Sequence, residues 1–136
     1  MKFYAPSAVQ LLGRILLSAI FVMGGLHKIQ APGPTIDYIA AGGLPFPTLA
    51  YGVSVLIEFG GGLAILLGFQ TRLAGLVLAV FCVVTGVMFH FHPENPGQMI
   101  NYWKNISMAG GFLQLFALGG GAFAVDALLR RKSEAG

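Results

Sequence analysis

Four long apolar segments dominate this sequence and leave little chain between them. A helix needs about 20 consecutive apolar residues to cross the hydrocarbon core of a bilayer. The segments cover about residues 8–26, 48–67, 72–89 and 102–118. They are too long and too uniformly apolar for the alternating pattern of a membrane barrel strand. The sequence therefore predicts an all-α membrane protein, an antiparallel bundle of four transmembrane helices that forms a single domain over residues 1–136.

The composition supports a lipid environment and excludes several other classes of protein. Of the residues, 56% are hydrophobic and 10% are charged, whereas a soluble domain has roughly 25% charged residues. The net charge of +3 comes mainly from Arg130, Arg131 and Lys132, which is typical of a cytosolic membrane flank. We therefore expect the lipid bilayer as a partner, and no nucleic acid. The single cysteine, Cys82, excludes an intrachain disulfide and a CxxC redox pair.

Charges between the apolar segments predict the orientation. The turn at residues 68–71 is short enough to force an antiparallel hairpin, and four crossings place both termini on one side. That side would carry Lys2, Arg72, Arg130, Arg131 and Lys132, and the other would carry Lys28 and Lys104. Because cytosolic loops are enriched in Lys and Arg, we expect a multi-pass inner membrane protein with both termini in the cytoplasm.

The segments outside the apolar runs contain strong helix breakers. Residues 31–47 include APGP and GGLPFP and are predicted to form a loop at the membrane interface. Pro93 ends the third span, because proline cannot continue the backbone ladder. The fourth span reaches a weak point at residues 119–121, beyond which we expect it to continue through a short amphipathic tail that ends at Arg131.

Glu58 is the most unusual residue, since it lies near the middle of the second span. A carboxylate at a helix centre costs about 2.5–3.5 kcal/mol on insertion scales, so it should face protein. One hypothesis makes Glu58 a proton acceptor or relay, or a cofactor-binding group. The alternative is a structural ion pair with Arg14, which lies on a protein-facing stripe of the first span and could fix two helices in register.

A second group of polar residues converges on the outer end of the predicted bundle. Lys28, Lys104, His27 and His90 lie there beside the interfacial loop. Such a cationic mouth could bind an anionic headgroup or the carbonyl oxygens of a quinone. The alternative is that each lysine only extends its charge to water.

Two further patterns concern metals and subunits. His90, His92 and Glu94 have metal-ligand side chains, but their spacing is weak evidence and a proline interrupts them, so no metal site is predicted. Asn105 and Gln114 are nine residues apart and point to nearly opposite sides of a helix. We therefore expect one amide to mark a subunit contact, as in a homo-oligomer.

Taken together, these segments resemble the DoxX family of small four-helix membrane proteins. The first helix matches in LLGRILLSAIFVMGGLHKI, the second hairpin in IEFGGGLAILLGFQTRLAGLVLAV, and the last part in WKNISMAGGFLQLFALGGGAFAVDALL. The family pattern maps onto Arg14, Lys28, Glu58, Arg72, Lys104 and Asp126. Of these, Arg72 and Asp126 are more readily explained by topology and helix ends than by chemistry.

The resemblance implies a quinone-linked role in an oxidoreductase system. The sequence has no flavin or dinucleotide fingerprint and no iron–sulfur cysteine set, so an electron donor would be a partner subunit or the quinone itself. The chain is then at most an oxidoreductase subunit, with quinone as the expected ligand. Two alternatives remain, a small-molecule transporter, in which the buried charge marks a substrate path, and a noncatalytic membrane scaffold.

Overall fold

The computed structural model describes residues 7–136, and Lys2 lies outside this range. The described residues form six helices joined by short connections and contain no strand. The helices are α1 (Ser7–Gln30), α2 (Pro32–Ala41), α3 (Pro47–Leu67), α4 (Thr71–His90), α5 (Pro96–Leu118) and α6 (Val125–Ala135). The all-α prediction is therefore confirmed.

Three of these helices, α1, α3 and α4, are long and apolar enough to cross a membrane. The helix α5 has 23 residues, but polar side chains such as Asn101, Lys104 and Gln114 interrupt its apolar character. It begins at Pro96 because the side chain of Asn95 caps it, accepting hydrogen bonds from the backbone N–H groups of the second and third helix residues at 3.1 and 3.2 Å.

Glycines let the long helices approach each other closely. A Cβ atom on Gly25 of α1 would lie 2.7 Å from Cβ of Phe59 in α3. A Cβ atom on Gly75 of α4 would lie 2.9 Å from the carbonyl oxygen of Phe112 in α5. Since interiors are close-packed, a larger side chain at either glycine would push two helices apart.

The buried core lies where α1, α3, α4 and α5 meet. The rings of Phe21 and Phe112 contact edge to face at its centre, with centroids 5.1 Å apart. Small and branched residues fill the remaining space, namely Ile65, Ala74, Leu78, Ala79, Cys82 and Ala109. Most other apolar side chains on these helices are exposed, as expected of surfaces that face lipid.

Residues 31–47 are not a simple loop, so that prediction was wrong. Pro32 begins α2, where its missing N–H costs nothing because the first turn of a helix has free N–H groups. Tyr38 of α2 stacks on Phe89 at the end of α4, with centroids 5.4 Å apart, and Ile39 is buried. This helix therefore lies across one end of the long helices.

Candidate ligand-binding groove

A groove of about 1420 Å³ lies between α3, α4 and α5, with α1 and α2 contributing to its walls. We call it the Glu58 groove. It is open on one side, and its wall includes exposed valines from the middle of α4, Val77, Val80 and Val84. Most of the lining is apolar, and its acidic and basic residues are Lys28, Glu58, His90 and Lys104. The groove therefore suits an apolar molecule with a polar group.

Glu58 forms a salt bridge with Lys28 through its Oε2 atom. The side chain of Glu58 is 12% exposed and that of Lys28 is 28% exposed, so the pair lies mostly within protein. Nearby, the hydroxyl of Tyr51 donates a hydrogen bond of 3.0 Å to the carbonyl oxygen of Lys28 and holds the end of α1 against α3. Lys28 thus reaches Glu58 from a fixed helix end.

The backbone around Glu58 is irregular in a way that widens the helix. Residues Leu56–Gly60 form a π-helical segment within α3, and such segments occur frequently at functional sites. Gly24 of α1 lies opposite, where a Cβ atom would be 3.6 Å from Oε1 of Glu58. Because glycine has no side chain, α1 packs near this oxygen without a side-chain donor to it.

His90 and Lys104 line the outer part of the groove. His90 is the last residue of α4, and its Nδ1 atom is 2.8 Å from Oε1 of Gln98 in α5. Lys104 extends from the exposed side of α5. Asn101 and Asn105 lie on the same face of this helix and also line the groove. The structure therefore brings Lys28, Glu58, His90 and Lys104 to one surface.

The other residues considered as ligands lie elsewhere. His27 is exposed and is not part of the groove wall. His92 and Glu94 contact each other at 3.1 Å on the surface, while His90 turns to Gln98. Within residues 7–136, no group of three His, Cys, Asp or Glu side chains is placed to hold a metal ion.

Arg14 does not pair with Glu58, which corrects one of the two sequence hypotheses. Its guanidinium donates hydrogen bonds to the carbonyl oxygens of Ile65 and Leu66, at 3.2 and 2.8 Å, and of Phe123, at 2.7 Å. The side chain is fully buried. The physical reason is that the last carbonyls of a helix lack intrahelical partners, and α3 ends beside Arg14. We call this arrangement the Arg14 clamp.

Asp126 forms a second link at the same end of the molecule. Its carboxylate accepts hydrogen bonds from the backbone N–H groups of Gln70 and Thr71, at 2.7 and 2.9 Å, and from the Thr71 hydroxyl, at 2.8 Å. Burial alone would raise the pKa of Asp126, but the hydrogen bonds from Thr71 and Gln70, with the nearby charge of Arg130, lower it below its ordinary value. Asp126 therefore caps α4 as a carboxylate.

Some features of the site carry no clear sequence signal. Nothing in the local sequence marks Leu56–Gly60 as π-helical, and the Gln98 partner of His90 depends on how α4 and α5 pack. A partial signal exists for Lys28, because Gly24 and Gly25 one turn earlier permit a close approach of α3. That spacing would have favoured Lys28 over Arg14 as the partner of Glu58.

Comparison with known proteins gives a consistent family assignment. The model of the DoxX family matches residues 9–91. The chain is 39% identical over 122 residues to the inner membrane protein YqjF of Escherichia coli (strain K12), covering 90% of this chain and 92% of that protein. It is 36% identical over 127 residues to the inner membrane protein YphA of the same organism, with 90% and 91% covered.

A more distant relative carries a functional name. Over 70 residues the chain is 37% identical to a protein of Bacillus subtilis (strain 168) named "Putative oxidoreductase CatD", covering 52% of this chain and 51% of that protein. No solved structure matches the chain.

Proposed function

Because the chain belongs to the DoxX family and is an inner membrane protein, we propose that it binds a quinone in the Glu58 groove. In this role it serves as a membrane subunit or partner of an oxidoreductase system. The partial similarity to a protein named as an oxidoreductase supports the second part of the proposal.

One observation carries the proposal, namely a salt bridge that forms part of an otherwise largely apolar groove. Lys28 and Glu58 present charged hydrogen-bonding groups beside apolar walls, and a quinone combines an apolar body with polar ring oxygens. Ligand sites are typically apolar pockets of ~300–1,000 Å³ with a few placed polar groups. The groove exceeds that range, which leaves room for a hydrocarbon tail.

The route of entry follows from the shape of the groove. The helix α2 covers its outer end through the contact of Tyr38 with Phe89, and exposed valines of α4 border its open side. A ligand would therefore enter sideways from the bilayer, which favours a lipid-soluble molecule over a water-soluble one.

Each ionisable residue has a separate proposed role. Glu58 accepts or relays a proton at the ring oxygen, and Lys28 holds the carboxylate in position. His90 and Lys104 form a second position for the ring, nearer the outer end of the groove. His27, which lies outside the groove, has no role in this proposal.

The proposed topology has four crossings, with α5 as the fourth transmembrane helix of an antiparallel bundle. It packs along α4, with Gly75 opposite Phe112 and Gly86 opposite Asn105, so the two helices run in opposite directions. Both termini are then cytoplasmic. Reporter fusions at the C-terminus and in the connection between α4 and α5 test this, since they should report opposite sides of the membrane.

Electron transfer in this proposal requires a partner protein. Interconversion of a quinone and its hydroquinone moves two electrons and two protons, and Glu58 handles protons only. A partner oxidoreductase would accept or supply the electrons. Gln114 is an exposed amide on α5, and we propose it as a contact in a homo-oligomer or with that partner. Cross-linking from Gln114→Cys in a Cys82→Ala background would identify the neighbour.

The ligand is tested by equilibrium binding of a decyl-tailed benzoquinone to protein in lipid nanodiscs. We expect saturable binding that falls by about tenfold or more in Lys28→Ala, which removes a charged donor to a ring oxygen, and in Glu58→Ala, which removes the carboxylate that positions this donor. Smaller losses are expected in His90→Ala and Lys104→Ala. His27→Ala is the matched control, because it is a neighbouring histidine outside the groove.

Two outcomes would contradict the proposal. Unchanged binding in all four groove variants would place the quinone elsewhere. Absence of binding to the wild-type protein, together with flux of a solute into proteoliposomes that depends on Glu58, would favour the transporter alternative instead.

A further inference from the structure

Glu58 has one oxygen that is not used by the fold. Lys28 binds Oε2, whereas no side chain or backbone group within residues 7–136 donates a hydrogen bond to Oε1. Gly24 of α1 lies beside this oxygen and has no side chain that could donate to it. A carboxylate oxygen only accepts hydrogen bonds, so Oε1 is an acceptor available to a ligand.

His90 supplies a second acceptor through its tautomer. Its Nδ1 atom faces Oε1 of Gln98 at 2.8 Å. An amide oxygen only accepts, so Nδ1 must carry the proton, and in a neutral imidazole Nε2 then keeps its lone pair. The fold therefore determines which nitrogen of this residue remains for a ligand.

The two acceptors, on Glu58 and His90, lie at different depths in the groove. Gly61 of α3 lies beside Leu78 of α4, and α3 and α4 run antiparallel, so Glu58 is nearly level with Phe81. His90 is nine residues further along, which is about 14 Å of helix. A single aromatic ring cannot touch both residues. A ring at either depth, however, meets an unpaired acceptor.

From these acceptors we infer that the groove prefers the reduced, hydroxylated form of its lipophilic ligand, a hydroquinone or related phenol, over the oxidised carbonyl form. This inference rests on the proposed function. A hydroquinone donates a hydrogen bond to Oε1 of Glu58 or Nε2 of His90. A quinone oxygen at the same position has no proton to donate, so it would exclude water from the acceptor without pairing it.

The lysines do not alter this preference. The ammonium groups of Lys28 and Lys104 only donate hydrogen bonds. A carbonyl oxygen and a hydroxyl oxygen can each accept from them, so these residues bind both forms. The preference for hydroquinone over quinone therefore depends on the acceptors of Glu58 and His90. Glu58 is the stronger acceptor because its oxygen carries charge.

The test compares the decyl-tailed benzoquinone with its hydroquinone, both under argon, on wild-type protein in nanodiscs. We expect the hydroquinone to bind about tenfold more tightly or better, which corresponds to one hydrogen bond to a charged group. A third probe, the dimethyl ether of the same hydroquinone, has the same tail but no hydroxyl donor. It should bind as weakly as the quinone.

Two variants test whether the preference for hydroquinone depends on Glu58. In Glu58→Gln the amide donates as well as accepts, so the preference should fall to about threefold or less, while His27→Gln should leave it unchanged. The ether probe keeps the test valid if Glu58→Gln fails to fold. Equal affinity of wild-type protein for quinone and hydroquinone would overturn this inference and leave the proposed function intact. Failure of both forms to bind would overturn both.

Discussion

Arg14 and Glu58 are both charged residues within long apolar helices, but the protein uses them differently. The guanidinium of Arg14 is fully buried and has three carbonyl acceptors from two other parts of the chain. The carboxylate of Glu58 has one ionic partner, Lys28, and forms part of the wall of an open groove. The Arg14 clamp therefore joins parts of the fold and leaves unpaired only Nε, which is buried, whereas Glu58 has an unbonded oxygen in the wall of an open groove.

The difference between Arg14 and Glu58 shows that a buried charge in an apolar helix can either stabilise the fold or border a ligand site. A buried charge is costly at either position, so its presence alone does not separate structure from function. The two residues differ in their surroundings, because Arg14 is enclosed and bonded to three carbonyls while Glu58 borders an open groove. The clamp uses carbonyls at the end of α3, while the π-helical segment Leu56–Gly60 places Glu58 in the wall of the groove.

The largest effect is expected from Arg14→Leu. This change removes the donor of the carbonyl oxygens of Leu66 and Phe123, while that of Ile65 keeps the backbone N–H of Gly68, and unpaired buried polar groups cost about 1–3 kcal/mol each. We expect a loss of roughly 3 kcal/mol or more in the free energy of unfolding. Because Cys82 is the single cysteine and is buried, its labelling by a thiol-reactive dye during heating in detergent measures the unfolding midpoint.

Arg14→Lys is the matched control for the clamp. An ammonium group keeps the charge and can bond some of the three carbonyls, but it lacks the planar fork of the guanidinium. Its midpoint should fall between those of Arg14→Leu and the wild type. A clamp variant as stable as the wild type would mean that the carbonyls find other donors.

The next effect concerns the packing that brings α1 against the Glu58 segment. Gly25→Ala places a Cβ atom 2.7 to 2.9 Å from backbone and Cβ atoms of Phe59, so α1 and α3 must separate. Overpacking of this kind costs about 1–3 kcal/mol. Gly13→Ala, on the same helix with nothing within 4 Å, should not destabilise the protein. Equal midpoints for the two variants would contradict the close contact that supports one wall of the groove.

A smaller effect is expected from Asp126 beside the Arg14 clamp. Asp126→Asn weakens the cap on α4, and loss of a cap costs typically about 1 kcal/mol. The pKa of Asp126 is lower in the folded protein than its ordinary value of 3.8. Its contribution to stability is therefore complete above 3.8 and is lost as the pH falls through the lower folded value. Unfolding midpoints measured from pH 6 downward should fall less steeply for Asp126→Asn than for the wild type.

The sequence predicted the helices well because their signals are local. Runs of apolar residues determine α1, α3 and α4, and Pro93 ends the third span near the predicted position. The same reasoning failed for residues 31–47, where proline was interpreted only as a breaker although Pro32 lies at a helix start.

The partners of individual charges were harder to predict, because they depend on contacts between helices. The sequence hypothesis paired Arg14 with Glu58 because its long side chain could reach that far. In the structure Arg14 instead bonds carbonyl oxygens at the end of α3. The grouping of Lys28, His90 and Lys104 was predicted, since each lies toward the same end of its helix. The groove between them depends on how far α3 and α5 separate, which no local pattern reports.

The smallest effect on stability is expected from Glu58→Gln. This variant tests whether Glu58 is a structural link, like Arg14, or a contact for a ligand. Glutamine keeps the shape of the side chain, and Lys28, which is 28% exposed, can turn its ammonium group toward water. We therefore expect a loss of less than about 1 kcal/mol in the free energy of unfolding, alongside a marked loss of hydroquinone binding. If Glu58→Gln lowers the midpoint as much as Arg14→Leu does, then Glu58 and Lys28 form a structural link like the Arg14 clamp. A small shift in the midpoint with a large loss of binding would instead mean that the free oxygen serves the ligand.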